Sequence, residues 1–197
     1  MQGLNLHKIL RFKRNIIMNA QQALERLKEG NKIYLKAEIN GGDISPAIRK
    51  KTFSEGQHPY AVVITCSDSR VIPEGIFSAG IGDLFVIRSA GNTIDSVQLG
   101  SIEYAVEHLG CPCVLVLGHS KCGAVGAAVS GATGGFVKFI TDEISKAVGD
   151  EKDDLKACRL NVKNSVKRIR DSLKTEGLCV VGGIYRIDSG EVEFLED

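Results

Sequence analysis

Long apolar runs, an excess of charge of one sign and internal repeats are all missing from this sequence. No run approaches the roughly 18 apolar residues of a membrane-spanning helix, so no membrane partner is expected. The 25 lysines and arginines are balanced by 24 acidic residues, whereas nucleic-acid binding needs a concentrated basic face. These absences leave a small molecule or another protein as the expected partner.

Residues 1–18 carry the one local bias in charge. Four basic residues and no acid give this segment +4, so the remaining chain carries −3 of the total of +1. Charges interrupt any apolar core of a secretory signal, so export is not expected. We interpret residues 1–18 as a disordered or non-native extension, with a targeting peptide or a weak interfacial helix as alternatives. Residues 19–197 are long enough to form a single domain with its own core.

The six cysteines do not form an evenly spaced framework. Without an export signal, cysteines serve as metal ligands, nucleophiles or small core residues rather than as disulfides. The cytoplasm is therefore the expected location. Cys111 and Cys113 could chelate a metal by their spacing, but they precede an apolar strand and are interpreted as core residues.

Strand and helix patterns alternate from residue 60 onward. Apolar β-forming runs predict strands buried on both faces at 60–65, 83–90, 113–119 and 178–187, with a short last strand in VEFL. Helical spacing is found at 19–37, 96–110, 120–131, 134–148 and 159–176. The order predicts an α/β fold: a mostly parallel central sheet flanked by helices, a short antiparallel edge strand at the C-terminus and an N-terminal helical arm.

Chemically active side chains follow two of the predicted strands. Cys66 ends the first strand, His119 ends the third, and Cys122 completes a His-x-x-Cys motif. Ligands of parallel sheets bind beyond the carboxyl ends of the strands, so the three side chains can converge if these strands are neighbours. A Cys–His–Cys set suits zinc and leaves its fourth position for water or substrate.

The His-x-x-Cys motif alone is a weak sign of a metal, and Asp68 and Arg70 strengthen it. They follow Cys66 in the frame C-x-D-x-R, and an acid and a base have no place in a core unless they are paired. An ionised Asp68 can accept a hydrogen bond from a metal-bound oxygen. Arg70, always charged, can hold that carboxylate by a bidentate contact.

Four segments in order, CSDSRVIPEGIF, GDLFVIRSAGN, GSIEYAVEHLG and GHSKCGAV, resemble those of β-class carbonic anhydrases. The resemblance is close from about residue 57 to 128 and looser to the C-terminus. It implies one Zn²⁺ per subunit, bound by the cysteines and histidine above, beside a catalytic Asp–Arg dyad. One departure is Ser89, where an asparagine is more usual, and it leaves the surroundings of the ligands open.

The same resemblance implies residues of the substrate pocket. Gln57 stands nine residues before Cys66, where several members use a glutamine, and Phe85 and Tyr104 resemble pocket residues of the family. Gly123 is interpreted as a position where the backbone is closely approached. The alternatives are a solvated loop for Gln57 and plain core packing for the two aromatic residues.

The expected function is therefore reversible hydration of CO₂ to bicarbonate and a proton by zinc-bound hydroxide. The resemblance also implies a homodimer or a larger homo-oligomer, with the N-terminal helix embracing the partner. Asp68 could instead occupy the fourth zinc position, and the sequence leaves this open. The alternative functions are a related zinc hydrolase acting on CS₂ or COS, and a non-catalytic zinc or redox-sensing protein.

Overall fold

A computed structural model describes residues 18–37, 39–132 and 134–196 of the chain. The extension predicted for residues 1–18 lies outside the described residues except for Met18. The Met18 side chain packs against the core beside the first helix. Within the described part, no helix is both long and apolar enough to cross a membrane.

The centre of the fold is a five-stranded sheet in the order β2-β1-β3-β4-β5. Its strands are β1 (Ala61–Thr65), β2 (Leu84–Arg88), β3 (Cys113–His119), β4 (Cys179–Tyr185) and β5 (Val192–Leu195). The first four strands are parallel, and β5 runs antiparallel to β4. The predicted α/β class, with its antiparallel strand at the C-terminus, is confirmed.

Helices cover both faces of this sheet. They are α1 (Ala20–Tyr34), α2 (Pro46–Glu55), α3 (Pro73–Ile76), α4 (Ser96–Glu103), α5 (Gly123–Val129), α6 (Val137–Val148) and α7 (Asp154–Ser172). A π-helical turn, Tyr104–His108, continues α4, and a 3₁₀ turn, Ala90–Asn92, follows β2. Helix α7 begins five residues before the predicted 159, because Asp153 caps it by accepting the Lys156 N–H at 2.8 Å.

Alternation along β1 divides the core into two layers. Val62 and Ile64 belong to the layer formed with α4–α7, whereas Ala61 and Val63 belong to the layer formed with α1 and α3. Cys66 continues the alternation of Val62 and Ile64, and it packs in the α4–α7 layer. The alternation along β1 thus places the Cys66 side chain on that face of the sheet.

Strand β2 departs from the expectation for 83–90. The sequence predicts burial on both faces, but β2 lies at the edge of the sheet and its residues are only half buried, with Arg88 exposed. Within the described chain, no strand pairs with its outer side. An apolar run on an open edge is a surface that a further chain can cover.

The metal-ligand motifs meet at the point where the strand order reverses. From β1 the chain crosses to β2 on one side, and it then returns to β3 on the other side of β1. A crevice opens at the carboxyl ends of the strands at such a point. Because β1 and β3 pair directly, the expected proximity of these two strands is confirmed.

Candidate metal centre and active site

Cys66, His119 and Cys122 form a compact group of potential metal ligands. Their ligand atoms lie within 4.8 Å of one another. All three are buried, with exposed fractions of 5%, 0% and 2%. Among the described residues this is the one such group of three or more histidine, cysteine or acidic side chains.

Local structure places each member of the group. Cys66 follows β1 and His119 is the last residue of β3, while Cys122 is the N-cap of α5. Between them, Lys121 adopts a left-handed conformation with φ of 56°. This turn reverses the chain after β3 and directs the Cys122 side chain back toward Cys66.

The donor set fits a zinc ion. The two sulfur atoms are 4.0 Å apart, close to the roughly 3.8 Å between two thiolates bound tetrahedrally at about 2.3 Å. The Nε2 atom of His119 is buried and has no hydrogen-bond partner among the described residues. Its Nδ1–H donates to the Ser120 carbonyl at 2.9 Å, which leaves the Nε2 lone pair free for a metal.

Several groups stabilise the Cys66 sulfur as a thiolate. It is 4.0 Å from the Cys122 thiol, which donates to it, and this hydrogen bond lowers the pKa of Cys66. The backbone N–H groups of Gly91, at 3.2 Å, and Asp68, at 3.4 Å, donate to the same sulfur. Metal binding requires thiolates, so Cys122 would lose its proton to a bound metal, whereas the two backbone N–H groups can go on donating to Cys66 Sγ.

Asp68 and Arg70 form the predicted dyad beside this group. Arg70 donates from Nε to Oδ1 at 2.9 Å and from Nη2 to Oδ2 at 2.7 Å. These bonds hold the pKa of Asp68 well below its usual range, so the carboxylate is ionised. Its Oδ2 lies 3.9 Å from His119 Nε2, so the carboxylate adjoins the ligand group while remaining engaged with Arg70.

Arg88 is a site residue to which the sequence analysis assigned no role. Its side chain donates from Nη2 to the Asp68 carbonyl at 2.7 Å and from Nε to the Cys66 carbonyl at 3.2 Å. It therefore fixes the backbone that presents both the ligand and the carboxylate. An arginine at the end of an apolar strand was the available signal, since such a charge needs a partner.

Hydrogen bonds through Lys121 also connect the dyad to α7. Arg70 Nη2 also donates to the Lys121 carbonyl at 3.2 Å, and the Lys121 N–H donates to Asp154 Oδ2 at 3.1 Å. Asp154 belongs to the first turn of α7, which the sequence analysis placed too late in the chain. The strained Lys121 turn is thus held by contacts on both sides.

Known carbonic anhydrases resemble this chain over most of its length. The carbonic anhydrase family model matches residues 61–192. A carbonic anhydrase of Mycolicibacterium smegmatis is 35% identical over 195 residues, covering 89% of this chain and 93% of that protein. The crystal structure of the β-carbonic anhydrase CafA of Aspergillus fumigatus has a TM-score of 0.70 and 30% identity, covering 76% of this chain and 81% of that one. The chain belongs to the β-class carbonic anhydrase family.

Similar structures include assembled members of this family. A β-carbonic anhydrase of Sordaria macrospora, one of two whose crystal structures are described as tetrameric, has a TM-score of 0.65 and 30% identity. The match covers 77% of this chain and 89% of the Sordaria chain. The predicted family and the prediction of a carbonic anhydrase enzyme are confirmed.

Within one chain of the enzyme, Gln57 lies far from the metal ligands. It is exposed, and it lies between the end of α2 and the start of β1. Cys66 lies at the other end of that strand, and five residues rising about 3.3 Å each separate the two ends by roughly 16 Å. The structure therefore does not bring Gln57 to the site of its own chain.

Phe85 and Tyr104 also lie away from the ligands of their own chain. Their ring centroids are 6.3 Å apart, and Phe85 is half buried whereas Tyr104 is 47% exposed. Phe85 pairs with Val62, four residues before Cys66 and hence about 13 Å back along the strand. The two aromatic residues lie beside the open edge of the sheet.

Gly123 does not have the surroundings that the sequence analysis expected. A Cβ added to it would meet no heavy atom of the described chain within 4 Å. No other part of the described chain therefore needs a glycine at this position, and its role in the substrate pocket stays a prediction. Ser89, the departure from the family pattern, donates to the Thr93 carbonyl at 2.6 Å and closes the turn after β2.

Proposed function

We propose that the enzyme catalyses reversible hydration of CO₂ to bicarbonate and a proton, with one Zn²⁺ per chain. The observation that carries this proposal is the buried Cys–His–Cys group beside an ionised, arginine-held carboxylate. When bound, zinc supplies Lewis acidity that lowers the pKa of a coordinated water toward neutrality, as in the three-histidine carbonic anhydrase. Cys66, His119 and Cys122 would hold the ion.

Asp68 directs the attacking water. An ionised carboxylate only accepts hydrogen bonds, so Asp68 Oδ2 would accept a hydrogen bond from the water and orient an oxygen lone pair toward CO₂. Arg70 keeps this acceptor ionised and fixed in direction.

We also propose that a second copy of the chain covers β2 and α4. The rings of Phe85, on the half-buried edge strand, and the exposed Tyr104 lie 6.3 Å apart, and the exposed Val97 precedes Tyr104 by seven residues, about two helical turns. Such exposed apolar residues are typical of an interaction surface. A two-fold axis perpendicular to the strands would set the two β2 edges antiparallel. The amino end of one sheet, with Gln57, would then adjoin the carboxyl end of the other, with its metal ligands.

Mixing two defective variants tests this shared site. Cys66→Ala lacks a metal ligand but keeps Gln57, whereas Gln57→Ala keeps the ligands. If each Gln57 serves the other copy, co-refolding restores one complete site per mixed dimer, about half of the wild-type rate per dimer. Light scattering should show a dimer or larger. A monomer that is fully active, or mixed dimers without recovery, would contradict the shared site.

The identity of the substrate is tested by presenting CO₂ and CS₂ to the same zinc-loaded enzyme. The family match favours CO₂, and stopped-flow turnover of CO₂ should far exceed that of CS₂. Turnover of CS₂ alone would instead support the related hydrolase.

A cytoplasmic location is also part of the proposal. It is supported by the six cysteines, which are all free in the structure, because thiols are kept reduced in the cytoplasm.

A further inference from the structure

Asn161 is a buried polar residue in the middle of α7, with 3% of its surface exposed. Its side chain contacts the turn that follows β2, on a different part of the fold. We propose that Asn161 is a positioning residue for the Cys66 thiolate, and that it acts through Gly91. This inference rests on the proposed metal site.

Two hydrogen bonds link Asn161 to the sulfur. Asn161 Nδ2 donates to the Gly91 carbonyl at 2.8 Å, and the Gly91 N–H donates to Cys66 Sγ at 3.2 Å. The bonds engage the two sides of one residue, so together they restrict both φ and ψ of Gly91. The direction of the N–H toward sulfur consequently depends on the amide of Asn161.

Packing leaves Gly91 little freedom to find another arrangement. Its φ is 67°, a left-handed value. A Cβ there would approach Ile144 Cδ1 to 2.6 Å and Ala124 Cβ to 3.0 Å, so α6 and α5 pack directly against the turn. Asn161 on α7 holds the same turn by its hydrogen bond to Gly91. Because Gly91 and Asn161 are both buried, water has little access to replace the amide.

Such contacts affect how a ligand binds its metal. An N–H that donates to a thiolate orients the sulfur and withdraws part of its negative charge. Loss of Asn161 leaves the buried Gly91 carbonyl without this donor, and the turn must shift to satisfy it. The Cys66 sulfur then loses a directed N–H bond, so both zinc affinity and thiolate electronic structure should change.

A matched control distinguishes the proposed positioning role of Asn161 from a purely structural role. Asn31 on α1 is also buried, with 4% exposed, and it lies in the other layer of the core. Its Nδ2 donates to the Gly190 carbonyl at 3.0 Å, and its Oδ1 accepts the Val192 N–H at 2.9 Å. Asn31→Ala therefore removes comparable buried hydrogen bonds without involving the turn at Gly91.

The test compares wild type, Asn161→Ala and Asn31→Ala as full-length zinc-loaded chains. Competition with a chromogenic chelator gives the zinc dissociation constant, and Co²⁺ substitution gives the thiolate-to-metal charge-transfer band. Asn161→Ala should bind zinc about 10- to 100-fold more weakly, and its charge-transfer band should move to lower energy. Asn31→Ala should lower the melting temperature but keep both zinc readouts at the wild-type values.

Each further outcome decides the question. Wild-type affinity and an unshifted band in Asn161→Ala, or equal weakening in Asn31→Ala, would overturn the positioning role. A wild-type chain that binds no zinc would overturn the proposed function itself, which this comparison distinguishes. If Asn161→Ala does not fold, Asn161→Leu serves in its place, because it fills a similar volume and still lacks the donor.

Discussion

Replacing Cys66 with alanine is expected to remove both the metal and the activity. The remaining His119 and Cys122 are too few for a stable zinc site, which takes three protein ligands even when catalytic. We expect zinc content to fall to background, and CO₂ hydration to fall by more than about 10³-fold, because the metal supplies the nucleophile. Metal analysis and stopped-flow kinetics on the same sample measure both effects.

Cys111→Ala is the matched control for this change. Cys111 is equally buried, with 1% exposed, and it packs in the same layer of the core. Cys111 precedes β3, at the amino ends of the strands, whereas the ligands lie at the carboxyl ends. Its loss should therefore lower the stability of the fold but leave the zinc content and the rate unchanged. Full zinc occupancy in Cys66→Ala, or loss of zinc in Cys111→Ala, would contradict the assigned ligands.

Asp68→Asn is expected to separate metal binding from catalysis. The substitution preserves shape but removes the charge and one of the two oxygens that accept from Arg70. Zinc content should stay near one per chain, because Asp68 is engaged by Arg70 rather than belonging to the ligand group. The rate should fall by about 10²-fold or more, comparable to the loss of one preorganised hydrogen-bonding group in an active site.

Asp171→Asn provides the control for Asp68→Asn. Asp171 is an acid paired with a base, Lys167, but it lies at the exposed end of α7, and its loss should leave the rate unchanged. Loss of zinc in Asp68→Asn would instead make the carboxylate a ligand. An unchanged rate would remove Asp68 from the mechanism.

The dependence of the rate on pH should not report Asp68. Arg70 lowers the pKa of Asp68, so the carboxylate is present at neutral pH and is lost only on strong acidification. Between about pH 6 and 9 its charge is constant, and a rise in rate over this range reflects the water near a pKa of about 7. Wild-type activity should therefore show no separate titration of Asp68 across the range.

The fold and the ligand group could be predicted because both depend on local patterns. Apolar runs defined the strands, and the parallel order followed from alternation with helices. Cys66 and His119 stood at strand ends, where parallel sheets collect their functional side chains. The acid and base after Cys66 were conspicuous because such groups need partners.

Contacts between distant segments could not be predicted in this way. The links from Asp154 to Lys121 and from Asn161 to Gly91 join α7 to loops more than 30 residues away. A single asparagine or aspartate on an amphipathic helix gives no periodic signal of such a partner. Likewise, the apolar β2 run looked like a buried strand, since sequence pattern does not distinguish burial within a chain from burial between chains.

The most direct test is stopped-flow CO₂ hydration by the purified chain with its zinc content measured. We expect about one zinc per chain and a rate that increases with pH through the titration of the water near 7. Chelation should abolish the rate, and zinc alone should restore it. A fully zinc-loaded chain that does not hydrate CO₂ at about pH 8.5 to 9, well above that titration, would contradict the account.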